Sequence, residues 1–250
     1  FTEQLLRFGD EMRGWSKAVG AGLGYFVGGP IGAVLGYMAG HKLTPKLQAQ
    51  EGHLLIANLL GFTTLFMKAD TAPPSEDTRE TVRFISRLFE FDAEDEHIAE
   101  ELLRRLLAVD LDIDAMAKTF KNHSDVYMRN RLLEILATLC LLIEGPLRER
   151  QLSLLQRIAE ALNLTPAQWQ AIKSRYGTTS PQLDPACCYA LLGLYPKVSD
   201  EEIRTAYRRL AKKYHPDHLA HLDQVSQRRH TEKMTLINAA YEVIRHQRDF

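Results

Sequence analysis

Cysteine is scarce here: Cys140, Cys187 and Cys188 are the only three in 250 residues. Their number is odd, two are adjacent, and no C-x-x-C pair occurs. That excludes a disulfide scaffold or a zinc domain and fits a reducing compartment. Charge imbalance is missing too. A formal net charge of −1 and a pI near 6.8 argue against a nucleic-acid partner. There is no Gly-rich phosphate loop and no G-x-S-x-G, so no motif places a nucleophile, and the chain reads as a non-enzyme without cofactor or metal. Alternating strand patterns are absent between Gly52 and Tyr176, where apolar residues recur at helical spacing. The expected fold class is all-α.

What is present begins with an uncharged run of 23 residues, Ala18 to Gly40, "AVGAGLGYFVGGPIGAVLGYMAG". At about 1.5 Å per residue it would just cross a hydrocarbon core of roughly 30 Å. Gly20, Gly24, Gly28, Gly32, Gly36 and Gly40 recur every fourth residue, forming a groove in which a second helix backbone could lie closely in lipid. The segment is too rich in Tyr, Phe, Val, Ile and Leu for a solvated linker, and "HKLTPKL" after it is no signal-peptidase site. Gly28-Gly29-Pro30 at its midpoint invites a kink, leaving a single span and a short helical hairpin both open. Arg13 and Lys17 before it balance Lys42 and Lys46 after it, so charge does not set its orientation.

The middle of the chain, residues 43–177, should be a helical bundle. Val82, Ile85, Leu88 and Phe89 make one apolar face, Ile98, Leu102 and Leu106 another, and Leu155, Ile158, Ala159 and Leu162 a third. Asp92 with Asp95, and Thr165 before Pro166, read as helix starts. "LLEILATLCLLIE", Leu132 to Glu144, is apolar nearly all round and should be the buried central helix. Leu65 to Glu96 and Leu139 to Trp169 echo each other, each an apolar helix ending in an acid, a polar turn, and a second helix with a new cap. This duplicated pattern resembles the tellurite-resistance TerB-like helical domain. Its usual Ala-Asp-Gly turn is eroded here to Ala69-Asp70-Thr71 in one copy and Glu144-Gly145-Pro146 in the other. Asp70, Glu76, Asp77 and Glu144 read as capping and solvated-surface acids rather than cation ligands.

Charge divides the rest of the chain. Leu43–Pro185 holds 16 Lys/Arg against 21 Asp/Glu, a net −5, whereas Ala186–Phe250 holds 11 against 8, a net +3. After a linker at 178–185, the basic module opens with Asp184-Pro185, an N-cap and a first-turn proline, and a short helix that Gly193 can end. Ser199 to Glu202 is a capping box. The helix it opens carries Ile203, Ala206, Tyr207, Leu210, Ala211 and Tyr214 on one stripe and Arg204, Arg208, Arg209, Lys212 and Lys213 largely on the other. Pro216 stops it. A third helix, with Met234, Ile237, Ala240, Tyr241 and Ile244 in register, should pack back antiparallel and leave His215-Pro216-Asp217 at the tip.

Tyr189, Leu192-Gly193, the basic helix, His215-Pro216-Asp217 and "INAAYEVI" in this order resemble a J-domain, over about 65 residues (186–250). With the glycine-rich span (18–40, within residues 1–42) and the helical middle, the arrangement is similar to the DjlA family of membrane-anchored DnaJ-type co-chaperones. The resemblance implies a DnaK-type chaperone partner whose ATP hydrolysis the module stimulates. Arg204, Arg208, Lys212 and Lys213 would steer toward an acidic chaperone surface, and His215, Pro216 and Asp217 would make the contacts that bias its conformation. The glycine row suggests a homodimer paired within the membrane, and the expected setting is a bacterial inner membrane, crossed as a single pass, with the C-terminal domains cytoplasmic because a DnaK-type partner and its ATP are there. The alternative is an envelope or membrane-stress scaffold whose middle domain binds the main partner while the J-domain only recruits a chaperone.

Overall fold

The computed structural model describes residues 50–68, 75–178, 181–215 and 223–250. The glycine-rich span, and with it Gly20, Gly24, Gly28, Gly32, Gly36 and Gly40, lies outside the described residues. Among those described there are ten helices and no strand. They are α1 (Gln50–Met67), α2 (Ser75–Phe89), α3 (Ala93–Leu107), α4 (Ile113–Asn122), α5 (Val126–Glu144), α6 (Glu149–Ala161), α7 (Pro166–Tyr176), α8 (Pro185–Leu191), α9 (Asp200–Lys213) and α10 (Gln224–Arg248).

Side-chain chemistry sets the helix ends. Asp92 accepts a hydrogen bond from the Asp95 amide, and Thr165 with Gln168 closes a capping box at the start of α7. Asp184 receives the Ala186 and Cys187 amides at the start of α8, and Ser199 with Glu202 closes a second box at α9. Gly193, just past α8, sits at φ +73°, a left-handed conformation that glycine reaches without a Cβ penalty.

Helices α1 and α5 form the centre and pack on each other. Leu132, Leu133, Leu136, Ala137 and Cys140 of α5 are fully buried, as are Leu59, Leu60 and Phe62 of α1. Each such aliphatic or aromatic side chain contributes about 1.5–3 kcal/mol by leaving water. The three thiols take part only as apolar filler. Burial pushes Cys140 well above the usual thiol range and Cys187 up to about 12, with Cys188 raised likewise, so all three stay protonated and unreactive at neutral pH.

The core does not stop at the bundle. Helix α8 packs against both α2 and α10, and Cys187, Cys188, Leu191, Leu192, Ile237, Ala240 and Ile244 join one continuous buried cluster with the residues of α1 to α7. Helix α2 is the shared wall. Val82, Ile85 and Phe89 make the apolar face expected from spacing, but Phe84 is also buried, at 1% exposure. Glu80, Phe84 and Arg87, spaced i, i+4 and i+7, face the other way, toward α8 to α10 and the turn after α8.

Candidate functional site

Helices α9 and α10 form an antiparallel hairpin whose seam includes Tyr207 stacked on Tyr241, ring centroids 4.1 Å apart. Arg248 fastens its open end: the guanidinium donates to Tyr189 Oη at 2.7 Å, the Val198 carbonyl at 2.6 Å and the Pro196 carbonyl at 2.7 Å, and pairs with Asp200 at 3.1 Å. Losing one such partner set costs about 1–2 kcal/mol for a partly exposed group. Arg248→Ala is expected to lower the urea midpoint measured by circular dichroism, whereas Arg245→Ala, which removes a pair with the exposed Glu242 one turn away, leaves it unchanged.

The outer face of α9 carries the basic residues expected there. Arg204, Arg208 and Lys212, at i, i+4 and i+8, are exposed, and the row leads to exposed His215. Arg204 lies over the Phe250 ring, 4.7 Å from its centroid, and Arg208 pairs with Glu201 at 2.6 Å. The Arg208–Glu201 pair is solvent-exposed on both sides and can yield to a competing partner at little cost. Pro216 and Asp217 lie outside the described residues.

Lys213 behaves differently. Its Nζ is 3.4 Å from Glu80 of α2, at the edge of a charge cluster that spacing alone did not reveal. Glu80 Oε1 accepts the Tyr214 hydroxyl at 2.6 Å, and its other oxygen meets Lys233 Nζ at 2.5 Å. Lys233 also reaches Asp77 at 3.4 Å, and Arg229 reaches the same carboxylate at 3.6 Å. Asp77, Glu80 and Lys233 are each nearly buried. The two acids on α2 thus hold the end of α9 and the first turns of α10 together, through Lys213 and Tyr214 on one side and Arg229 and Lys233 on the other.

Solvation and pairing oppose each other in this cluster. Burial raises the Glu80 carboxyl, but the charge and hydrogen bond of Lys233, with Tyr214 and Lys213, outweigh it and leave Glu80 below its ordinary range. At Asp77 burial wins over Lys233 and Arg229, and the carboxyl is raised. Burial, then the Glu80 charge, pushes the Tyr214 phenol well above its usual value. A second tie joins the same two parts. Arg131 on α5 pairs with Asp184 at 2.9 Å. Burial of Asp184 is outweighed by Arg131 and the amides it caps, holding its carboxyl low.

Asp77 was expected on a solvated or capping surface; it is 5% exposed and ion-paired, because α2 turns that face toward α10. Asp70 lies outside the described residues, as does the side chain of Glu76. Glu144 accepts from Gln151 across the turn between α5 and α6. Among the described residues, no three His, Cys, Asp or Glu side chains are grouped as metal ligands would be.

Comparison with known proteins decides what the hairpin is. The family model described as the DnaJ domain matches residues 187–249. The C-terminal unit is a DnaJ domain. At the other end, the model of the co-chaperone DjlA transmembrane domain matches residues 12–43; these two matches leave the helices α1 to α7 uncovered. "Adaptation to cold protein J" of Shewanella oneidensis is 34% identical over 56 residues, 22% of this chain and 60% of that protein. "DnaJ homolog subfamily A member 4" of Homo sapiens is 48% identical over 56 residues, 22% of this chain and 12% of that protein. "Chaperone protein DnaJ" of Mycoplasma genitalium is 38% identical over 56 residues, 22% and 14% respectively. The chain therefore spans 60% or less of each of these relatives. No solved structure matches the chain. Among the described residues no helix is long and apolar enough to cross a membrane, so membrane anchoring rests on the N-terminal family match.

Proposed function

We propose that this chain is a membrane-anchored co-chaperone whose DnaJ domain stimulates ATP hydrolysis by a DnaK-type chaperone, with no bond chemistry of its own. The exposed row of Arg204, Arg208 and Lys212 leading to His215 carries this reading. Such a row raises the on-rate toward an acidic surface and sets orientation. His215, Pro216 and Asp217 then contact the chaperone more favourably in its hydrolysis-competent state, and that difference in binding drives the stimulation. The C-terminal domains face the cytosol in this reading, because a DnaK-type partner and its ATP are there. Pairing of two copies along the row from Gly20 to Gly40 would present two DnaJ domains side by side.

Single-turnover ATP hydrolysis by a bacterial DnaK-type chaperone, with the full chain in detergent, tests it. Stimulation is expected with the wild-type chain and absent with His215→Gln, while Arg208→Glu raises the concentration needed for half-maximal stimulation. A folded wild-type chain that leaves the hydrolysis rate unchanged sinks the proposal. For the pairing, Gly28→Leu with Gly32→Leu should abolish cross-linked dimer in detergent; unchanged cross-linking would remove the glycine row from the account.

A further inference from the structure

A cleft of about 440 Å³ lies between α2 and the DnaJ domain, walled by α2 on one side and by α9 with the turn after α8 on the other. Its floor is apolar: Phe84, Leu236 and Ile237 are buried, and the half-buried Leu142 and Leu210 present surface to the opening. Its rim is cationic. Arg83 comes from α2 and Arg209 from α9, both exposed, and they converge over Gly193. A Cβ added at that glycine would lie 3.8 Å from Arg209 Nη2 and 4.0 Å from Arg83 Cδ. Among the described residues neither arginine pairs with a carboxylate. Glu80, the one acid among the described residues that line the cleft, is already held by Tyr214, Lys213 and Lys233. Arg87, lower on the same wall, is engaged with Tyr195 Oη at 2.8 Å and the Gly193 carbonyl at 3.2 Å.

We propose that this cleft docks an acidic peptide segment of a partner protein, one that carries apolar side chains between its carboxylates. Two arginine side chains that approach the same glycine from opposite walls without a carboxylate partner call for an anion, and guanidinium groups bind carboxylates with directional, charge-assisted hydrogen bonds. The apolar floor between them would go unused by a bare inorganic anion, whereas leucine-like side chains gain by covering it. The site is composite: α2 supplies one arginine and the DnaJ domain the other, so a DnaJ domain alone has half of it. It is separate from the row of Arg204, Arg208 and Lys212 on the outer face of α9, and its occupancy does not depend on the proposed chaperone activity.

The test uses the full chain in detergent, without chaperone or nucleotide, and fluorescence polarisation of a short labelled peptide alternating aspartate and leucine. Saturable binding is expected, weakening as salt is raised. Arg83→Glu and Arg209→Glu, one on each wall, should each weaken it by about tenfold or more, a change of ~1.4 kcal/mol. Arg79→Glu, exposed on α2 outside the cleft, should leave it unchanged. An asparagine–leucine peptide binding as tightly would overturn the proposal. So would full displacement by inorganic phosphate or by a soluble short-chain anionic phospholipid, since either would make this a simple anion or headgroup site.

Discussion

Lys233→Met is expected to destabilise the folded chain by about 3–5 kcal/mol, the cost of breaking a buried ion pair from one side. The variant leaves Asp77 and Glu80, one turn apart on α2, facing each other with their central cation gone. Arg229 and Lys213 remain within 3.6 and 3.4 Å of them, so the lower end of that range applies if they close in. The triple variant Asp77→Asn, Glu80→Gln, Lys233→Met should recover most of the loss, because it removes the uncompensated charges along with the cation. If Lys233→Met and the triple variant were equally unstable by urea unfolding, the loss would come from packing and the electrostatic account would be wrong.

The pH dependence carries the same signature. Glu80 and Asp184 have folded-state values below their ordinary ones of 4.5 and 3.8. Their contribution is fully present above those ordinary values and is lost as the pH falls through the lower, folded ones. Asp77 is raised and has the opposite sign: it weighs against folding at neutral pH and is relieved by protonation on acidification. The exposed Glu101 and Glu202, lowered by hydrogen bonds from Arg105 and Ser199, share the sign of Glu80 and Asp184, so lowered acids outnumber the raised one and stability is expected to fall below about pH 4.5. Glu80→Gln should flatten that loss, and an unchanged urea midpoint profile between neutral pH and pH 3 would remove Glu80 from it.

The sequence made the DnaJ domain legible because its signals are local. A capping box at Ser199, a proline after the basic helix and an apolar stripe from Met234 to Ile244 are each short-range patterns that tertiary packing reinforces. The central helix α5 was equally readable, since a segment apolar on all sides has nowhere to go but the core. The union between DnaJ domain and bundle was not readable from periodicity. The docking face of α2 is Asp77, Glu80, Phe84 and Arg87, which by composition passes for a solvated helix face. The one hint was Lys233. It sits at i−4 and i−7 from Ile237 and Ala240, on the stripe that α10 buries, where a lysine requires an acid from elsewhere. Nothing in the sequence says that the acids are some 150 residues earlier.

That union leads to the second large effect, at Leu192. This residue closes α8, is fully buried, and lies where α2, α8 and α10 meet. Leu192→Ala should cost about 2–5 kcal/mol, the transfer of the lost atoms plus the cavity left among side chains too constrained to collapse. If bundle and DnaJ domain were separate folding units, the loss would fall on α8 to α10 alone. Because one core and one buried charge cluster join them, the amides of α5 and of α10 should lose hydrogen-exchange protection by the same amount in this variant. Protection lost in α10 but retained in α5 would show that the two units unfold independently. In that case Asp77 and Glu80 could not fix the end of α9 against α10 through Lys213, Tyr214, Arg229 and Lys233.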